Sequence, residues 1–245
     1  MTTLLVGFDS AWTPTNSGAL VGALHFEDGT LQGLGAPQIV DYREAEDVIL
    51  KWQADQELTA TIVLLDQPTI VNNAMHQRPV ENIVGSAVGL RYGGMQPANT
   101  SKEEMFGKEA PVWPFLTRFG GPADPLEPIA DTRVFETYPV LAMIALGWML
   151  PDSRRAGRLP KYNPERKKTF SILDWRHVCD KASGSFHGRG LADIVRWIDA
   201  AARSTSPRKS DQDGLDSCLC LLVALYLAER KDCLMVGDLH TGVWS

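Results

Sequence analysis

The chain opens with an unbroken apolar run, Leu4-Leu5-Val6-Gly7-Phe8, that closes on Asp9. A short run of this kind predicts a strand covered on both faces. Residues 18–26 read as a second strand, and Asp28-Gly29 supplies the positive-φ turn of a hairpin into a third, near 30–40. Asp41 followed by Glu44 is a capping-box pattern with Asp in place of Ser or Thr. Ala45, Val48, Ile49 and Trp52 follow at helical spacing, so 42–57 is predicted to be an amphipathic helix. Residues 61–66 form a further apolar strand. From 67 to 130 Gly and Pro recur and helical periodicity is poor, apart from short helices expected near 83–90 and 113–119. That stretch reads as an irregular insertion over the active-site side. Residues 132–137 predict a fifth strand, and Pro139 suits the first turn of a helix through Trp148. Helices are expected over 165–182, 189–203 and 210–230, with a short strand at 233–236.

The order β-β-β-α-β, followed by helices, predicts one α/β domain over 1–245. Its mixed central sheet is flanked by helices, with the insertion after the fourth strand. Acids stand at the ends of these apolar elements. Asp9 ends the first strand, Asp66 the run Ile62-Val63-Leu64-Leu65, and Glu136 the pair Val134-Phe135, while Asp213 and Asp216 open the last helix. Burying an unpaired carboxylate costs several kcal/mol, so each acid needs a partner or a cleft. Each has an ordinary explanation: Asp9 as a turn former, Asp66 before a turn at Pro68, Glu136 against amides of the next helix, and Asp213 as a cap with Ser210. Asp216 lies three residues deeper on the same helix face, where capping explains it less. Converging acids would need a divalent cation to offset their repulsion, which is the chemistry of metal-dependent phosphodiester cleavage.

At 245 residues, 44% hydrophobic and 22% charged, the chain supports a real core. A formal net charge of -6 excludes nucleic-acid affinity from global charge, so any polyanion site must be a local basic patch or a metal centre. Arg154, Arg155, Arg158, Lys161, Arg166, Lys167 and Lys168 crowd into one such stretch. They read either as a phosphate-binding patch or as a solvated loop and helix face, with Tyr162 either stacking on a base or anchoring the loop. Cys179, Cys218, Cys220 and Cys233 lack metal spacing, and the five histidines are scattered. No signal peptide opens the chain, and the longest apolar run, 219–228, is too short to span a bilayer, so the expectation is a cytoplasmic protein without membrane contact. A homo-oligomer is compatible with this sequence.

Phe8-Asp9-Ser10-Ala11-Trp12, Leu65-Asp66-Gln67-Pro68, Glu136-Thr137-Tyr138-Pro139, Lys161-Tyr162 and Asp213-Gly214-Leu215-Asp216-Ser217 together resemble the predicted RNase H-like nucleases of the domain-of-unknown-function family numbered 429. The resemblance implies an RNase H-like fold with Asp9, Asp66 and Asp216 at the superfamily's metal-binding places. It places Asp213 where relatives carry an acid or histidine, and Glu136 in the family's own motif. The expected activity is two-metal hydrolysis of nucleic acid, DNA or RNA. Asp9 would bridge two Mg2+ or Mn2+ ions about 3.5 to 4 Å apart, and Glu136 or Asp213 would orient the water. Two other readings share this scaffold: an ATP-binding phosphotransferase of the actin-like branch, for which Gly93-Gly94 and Gly120-Gly121 are the available glycines, and a catalytically inactive binding module.

Overall fold

In the computed structural model the described residues are 2–84, 96–127, 129–153 and 155–237, with the side chains of Arg155 and Ala156 also outside the description. Strand β1 (Thr2–Asp9) lies at the centre of a mixed sheet. It pairs antiparallel with β2 (Gly18–Phe26) and parallel with β5 (Ala60–Leu65). Strand β6 (Asp131–Glu136) lies parallel to β5 on the far side. The third strand expected near 30–40 is two short ones, β3 (Leu31–Gly33) and β4 (Gln38–Val40), both paired with β2. Gly35, at φ +120°, and Pro37, which lacks an N–H, interrupt the ladder between them.

Helix α1 (Tyr42–Ala54) crosses from β4 to β5. The Asp41 carboxylate accepts from the Glu44 amide at 2.8 Å, and the Glu44 carboxylate accepts in return from the Asp41 amide at 2.9 Å. Among the described residues between β5 and β6 lie three short helices, α2 (Pro79–Val84), α3 (Glu103–Phe106) and α4 (Val112–Phe119). The part of the expected 83–90 helix beyond Val84 lies outside the described residues. Helix α4 is more than surface decoration. Its Val112, Phe115, Leu116 and Phe119 pack with Phe8, Val63 and Val134 and with Tyr42, Ala45 and Ile49 of α1, covering one face of the sheet.

The other face is covered by the C-terminal helices. After α5 (Pro139–Ala145) and a two-stranded ribbon, β7 (Leu150–Asp152) with β8 (Arg155–Arg158), come α6 (Ile172–Phe186), α7 (Ala192–Arg203) and α8 (Lys209–Ala228). The start expected at 165 moves to 172 because Ser171 is the N-cap, accepting from the Asp174 amide, and 164–170 turns instead. The expected strand at 233–236 is absent among the described residues; Leu234 and Met235 are exposed, so their apolar side chains gain no burial against the sheet. Helix α8 lies across β1, β2 and β5 in a core with Leu5, Ile62, Leu64 and Phe135. None of the described helices is long and apolar enough to cross a membrane.

One residue sets how close α8 comes. A Cβ on Gly7 would fall well inside contact distance of the Ser217 carbonyl oxygen and the Leu221 amide nitrogen. Backbone therefore packs on backbone at the centre of the sheet. Gly7→Ala should push the helix off β1 and lower stability by about 1–3 kcal/mol, the usual cost of overpacking, as read from urea unfolding. An unchanged midpoint would show that the helix–sheet contact has slack.

Candidate active site

Parallel pairing decides where the strand-terminal acids go. Phe8 of β1 aligns with Leu65 of β5, and the Asp66 amide continues the ladder by donating to the Phe8 carbonyl at 2.9 Å. Asp9 and Asp66 are thus neighbours at the same end of the sheet, one residue past that pair, on the face that α8 covers. Leu65 aligns with Glu136 of β6. Side chains alternate between faces, so Glu136 turns towards the opposite side.

Helix α8 supplies the rest. Lys209, Gln212, Asp213 and Asp216 follow i, i+3, i+4, i+7 spacing and share one face. All four line a cavity of about 1000 Å³ together with Asp9 and Asp66. Gly7 lies two residues before Asp9 on the same strand face, so the close helix contact there carries the α8 acids towards the strand end. Asp9, Asp213 and Asp216 are buried; Asp66 is partly so.

Second contacts hold this arrangement. Ser10 and Gln67, which follow the two strand-end aspartates, are tied together: Ser10 Oγ donates to Gln67 Oε1 at 2.6 Å, and the Tyr42 hydroxyl donates to the same oxygen. Trp12 donates from Nε1 to the Asp66 carbonyl at 2.8 Å and meets Phe106 edge-on. Its φ is +59°, a strained value for a bulky residue, of the sort that collects around functional sites. Asp216 accepts from the Tyr162 hydroxyl at 2.7 Å and from Gln212 Nε2 at 2.9 Å. Tyr162 is buried in this contact, so it anchors the loop rather than offering its ring for stacking.

Glu136 is differently placed from the other acids. It reaches the cavity wall, but both its oxygens are engaged. Oε1 accepts from Arg78 Nη2 at 2.8 Å; Oε2 accepts from Arg78 Nη1 at 3.1 Å and from the Thr69 amide at 2.8 Å. Arg78, itself buried, also donates from Nε to Glu81 at 2.8 Å, and Glu81 accepts the amides of Arg78 and Ala98. Arg78 is the partner of Glu136, rather than an amide of the following helix. Asp213 likewise does not cap: it sits inside α8, ion-paired with Lys209, and Asp211 accepts the Arg208 amide instead.

Of the basic stretch, Arg158, Lys161 and Arg166 line the cavity. Arg158 is held by Asp174, with Nη2 to Oδ1 at 3.0 Å. Lys167 and Lys168 are exposed and stand away from the cavity wall. Arg154, the side chain of Arg155, Gly93-Gly94 and His240 lie outside the described residues. Gly120 ends a helix rather than cradling a phosphate. At φ +68° it is the left-handed cap of α4, packed against Thr132. Sequence reasoning missed Lys209, Gln212 and Trp12. The helical spacing of the first two relative to Asp213 and Asp216 was the available signal.

The electrostatics follow from the geometry. Burial, and then the charges of Asp66, Asp216 and Asp213, push the Asp9 carboxyl well above the usual range. Asp66 is raised in the same way, by burial and then by Asp216. Asp216 is pushed up to about 6, chiefly by burial, against the lowering effects of Tyr162, Lys209 and Gln212. Among the described residues, no hydrogen-bond donor serves the carboxylates of Asp9 or Asp66. Gln212 Oε1 and Thr137 Oγ1, both on the cavity wall, are buried without a partner. Among the described residues no three His, Cys, Asp or Glu side chains are gathered as a ready-made ion shell. The fit to a cation rests on donor chemistry: undonated carboxylate oxygens beside unpartnered neutral oxygens suit a hard divalent ion such as Mg2+ or Mn2+.

Residues 14–239 match the model of a family described as a protein of unknown function, DUF429. The chain belongs to the DUF429 family. No curated protein and no solved structure matches it. In this DUF429 chain the matched span takes in Asp66, Glu136, Asp213 and Asp216, and begins just after Asp9 and Trp12.

Two outcomes test this geometry. Glu136→Gln weakens one partner of a buried ion pair and should cost about 3 kcal/mol of stability by chemical denaturation; a loss of under about 0.5 kcal/mol would mean that Arg78 finds another partner. Asp216 gives a pH signature. Its folded pKa, about 6, lies above the ordinary 3.8. Its contribution to stability is therefore fully present below pH 3.8 and lost as pH rises through 6, a loss on the order of 3 kcal/mol at neutral pH. Asp216→Asn should escape this loss, since an Asn can still accept from Tyr162 and can donate to the spare Gln212 oxygen after an amide flip. In EDTA the variant should be more stable than the wild type at pH 8 and equal to it at pH 4. A gap that widens on acidification would contradict the assigned environment.

Proposed function

We propose that this chain is a divalent-cation-dependent hydrolase of phosphodiester bonds in nucleic acid, on an RNase H-like scaffold. The observation that carries the reading is the shared cavity: Asp9 and Asp66, with no donor to their carboxylates among the described residues, face Asp213 and Asp216 of α8. The mixed sheet order, with β1, β5 and β6 parallel and β2 antiparallel, suits that scaffold.

Asp9, Asp66 and Asp216 would hold magnesium or manganese. Such an ion polarises a phosphoryl oxygen and generates a nucleophile from water at neutral pH. The protein's part is positioning. Tyr162 and Gln212 fix the two oxygens of Asp216, and Trp12 and the Ser10–Gln67 pair fix the strand ends. Asp213 pairs with Lys209 through Oδ1. Its other oxygen is left to orient the attacking water and accept its proton, a role for which Glu136 has no free oxygen. Lys161 and Arg166 on the cavity wall would take the flanking phosphates that the carboxylates repel.

Purified protein with Mn2+ should cut at least one of single-stranded DNA, duplex DNA, a branched junction or RNA. Asp9→Asn should lower the rate more than about 100-fold, beyond the usual cost of losing an outer-shell partner. Absence of cleavage across that panel, or cleavage that survives Asp9→Asn, removes the assignment.

A further inference from the structure

We infer that the ammonium group of Lys209 serves as a built-in positive charge of the carboxylate cluster, so that the chain takes up one divalent cation rather than two. This deepens the metal-dependent reading above and rests on it.

The observations are geometric. Asp9, Asp66, Asp213 and Asp216 line the cavity together, and Lys209 stands one helical turn before Asp213 with its Nζ paired to Asp213 Oδ1. The Lys209 side chain, 46% exposed at the start of the helix, lines the cavity and reaches along it to Asp213. Its charge acts on Asp9, Asp66 and Asp216 as well as on its direct partner. One acid is thus already neutralised by the chain itself. The remaining carboxylates, Asp9, Asp66 and Asp216, carry three negative charges when ionised, and a single divalent ion offsets two of them. A second ion drawn to Asp213 would meet a carboxylate whose charge the ammonium already offsets.

The uncharged oxygens point the same way. Gln212 lies between Lys209 and Asp216 on the helix face, 7% exposed, with its amide nitrogen given to Asp216 and its Oε1 unpartnered. Thr137, 2% exposed, keeps Oγ1 unpartnered at the end of β6. Both border the cavity. They offer neutral oxygen, directly or through water, to an ion held by Asp66 and Asp216. The Lys209 ammonium, a point charge with three donors, stands ready for a phosphate oxygen.

Calorimetric titration of the full chain with MnCl2, in chelator-treated buffer, tests this without reference to activity. Wild type and Lys209→Arg should bind one ion. Lys209→Gln should bind two, the second site appearing where the ammonium was lost; Lys209→Ala should agree and guards against an effect peculiar to glutamine. Thermal unfolding in EDTA checks that each variant folds. Two ions on the wild type, or one ion still on both Lys209→Gln and Lys209→Ala, overturns the inference and leaves the metal-dependent reading standing. No ion on any of the proteins overturns both.

Discussion

Like charges crowded into one partly buried volume repel, and this protein is built around holding them there. The acids come from β1, from the exit of β5 and from the first turns of α8. Nothing short of a stiff frame would keep them together. Parallel pairing provides one part of it, since β1 and β5 must end at the same edge once they align in parallel. The backbone contact at Gly7 provides the other, because it fixes the distance from α8 to the sheet. The raised pKa values of Asp9, Asp66 and Asp216 are the electrostatic record of that frame.

Much of the frame could be read from the chain. Strands covered on both faces announce themselves as apolar runs, and β1 and β5 each end where an acid interrupts the run, as does the shorter Val134-Phe135 pair of β6. The Asp41–Glu44 reciprocal cap fixed the start of α1 within a residue. Asp213 and Asp216 could be placed on one face from their spacing alone. These features are local, or follow from a simple period.

What could not be read depends on contacts distant in sequence. Glu136 looks like Asp9 and Asp66 in its local setting, but a one-residue difference in alignment turns it to the other face and into the hands of Arg78. No local pattern reveals that Arg78, 58 positions away, is buried with it. The apolar face of α4 was obscured by surrounding glycines and prolines, although four of its residues are core. Lys209 was overlooked for a different reason: a lysine at a helix start is ordinarily a solvated group, and only its position beside four acids gives it meaning.

The Arg78–Glu81 clamp has a consequence for how this family can vary. One carboxylate, Glu81, grips the backbone at two places, the amides of Arg78 and Ala98. Through Arg78 the grip extends to Glu136 at the edge of the sheet. Arg78, Glu81 and Glu136 are all buried, so losing any one of the three would strand an uncompensated charge in the interior, and the three are expected to change together or not at all.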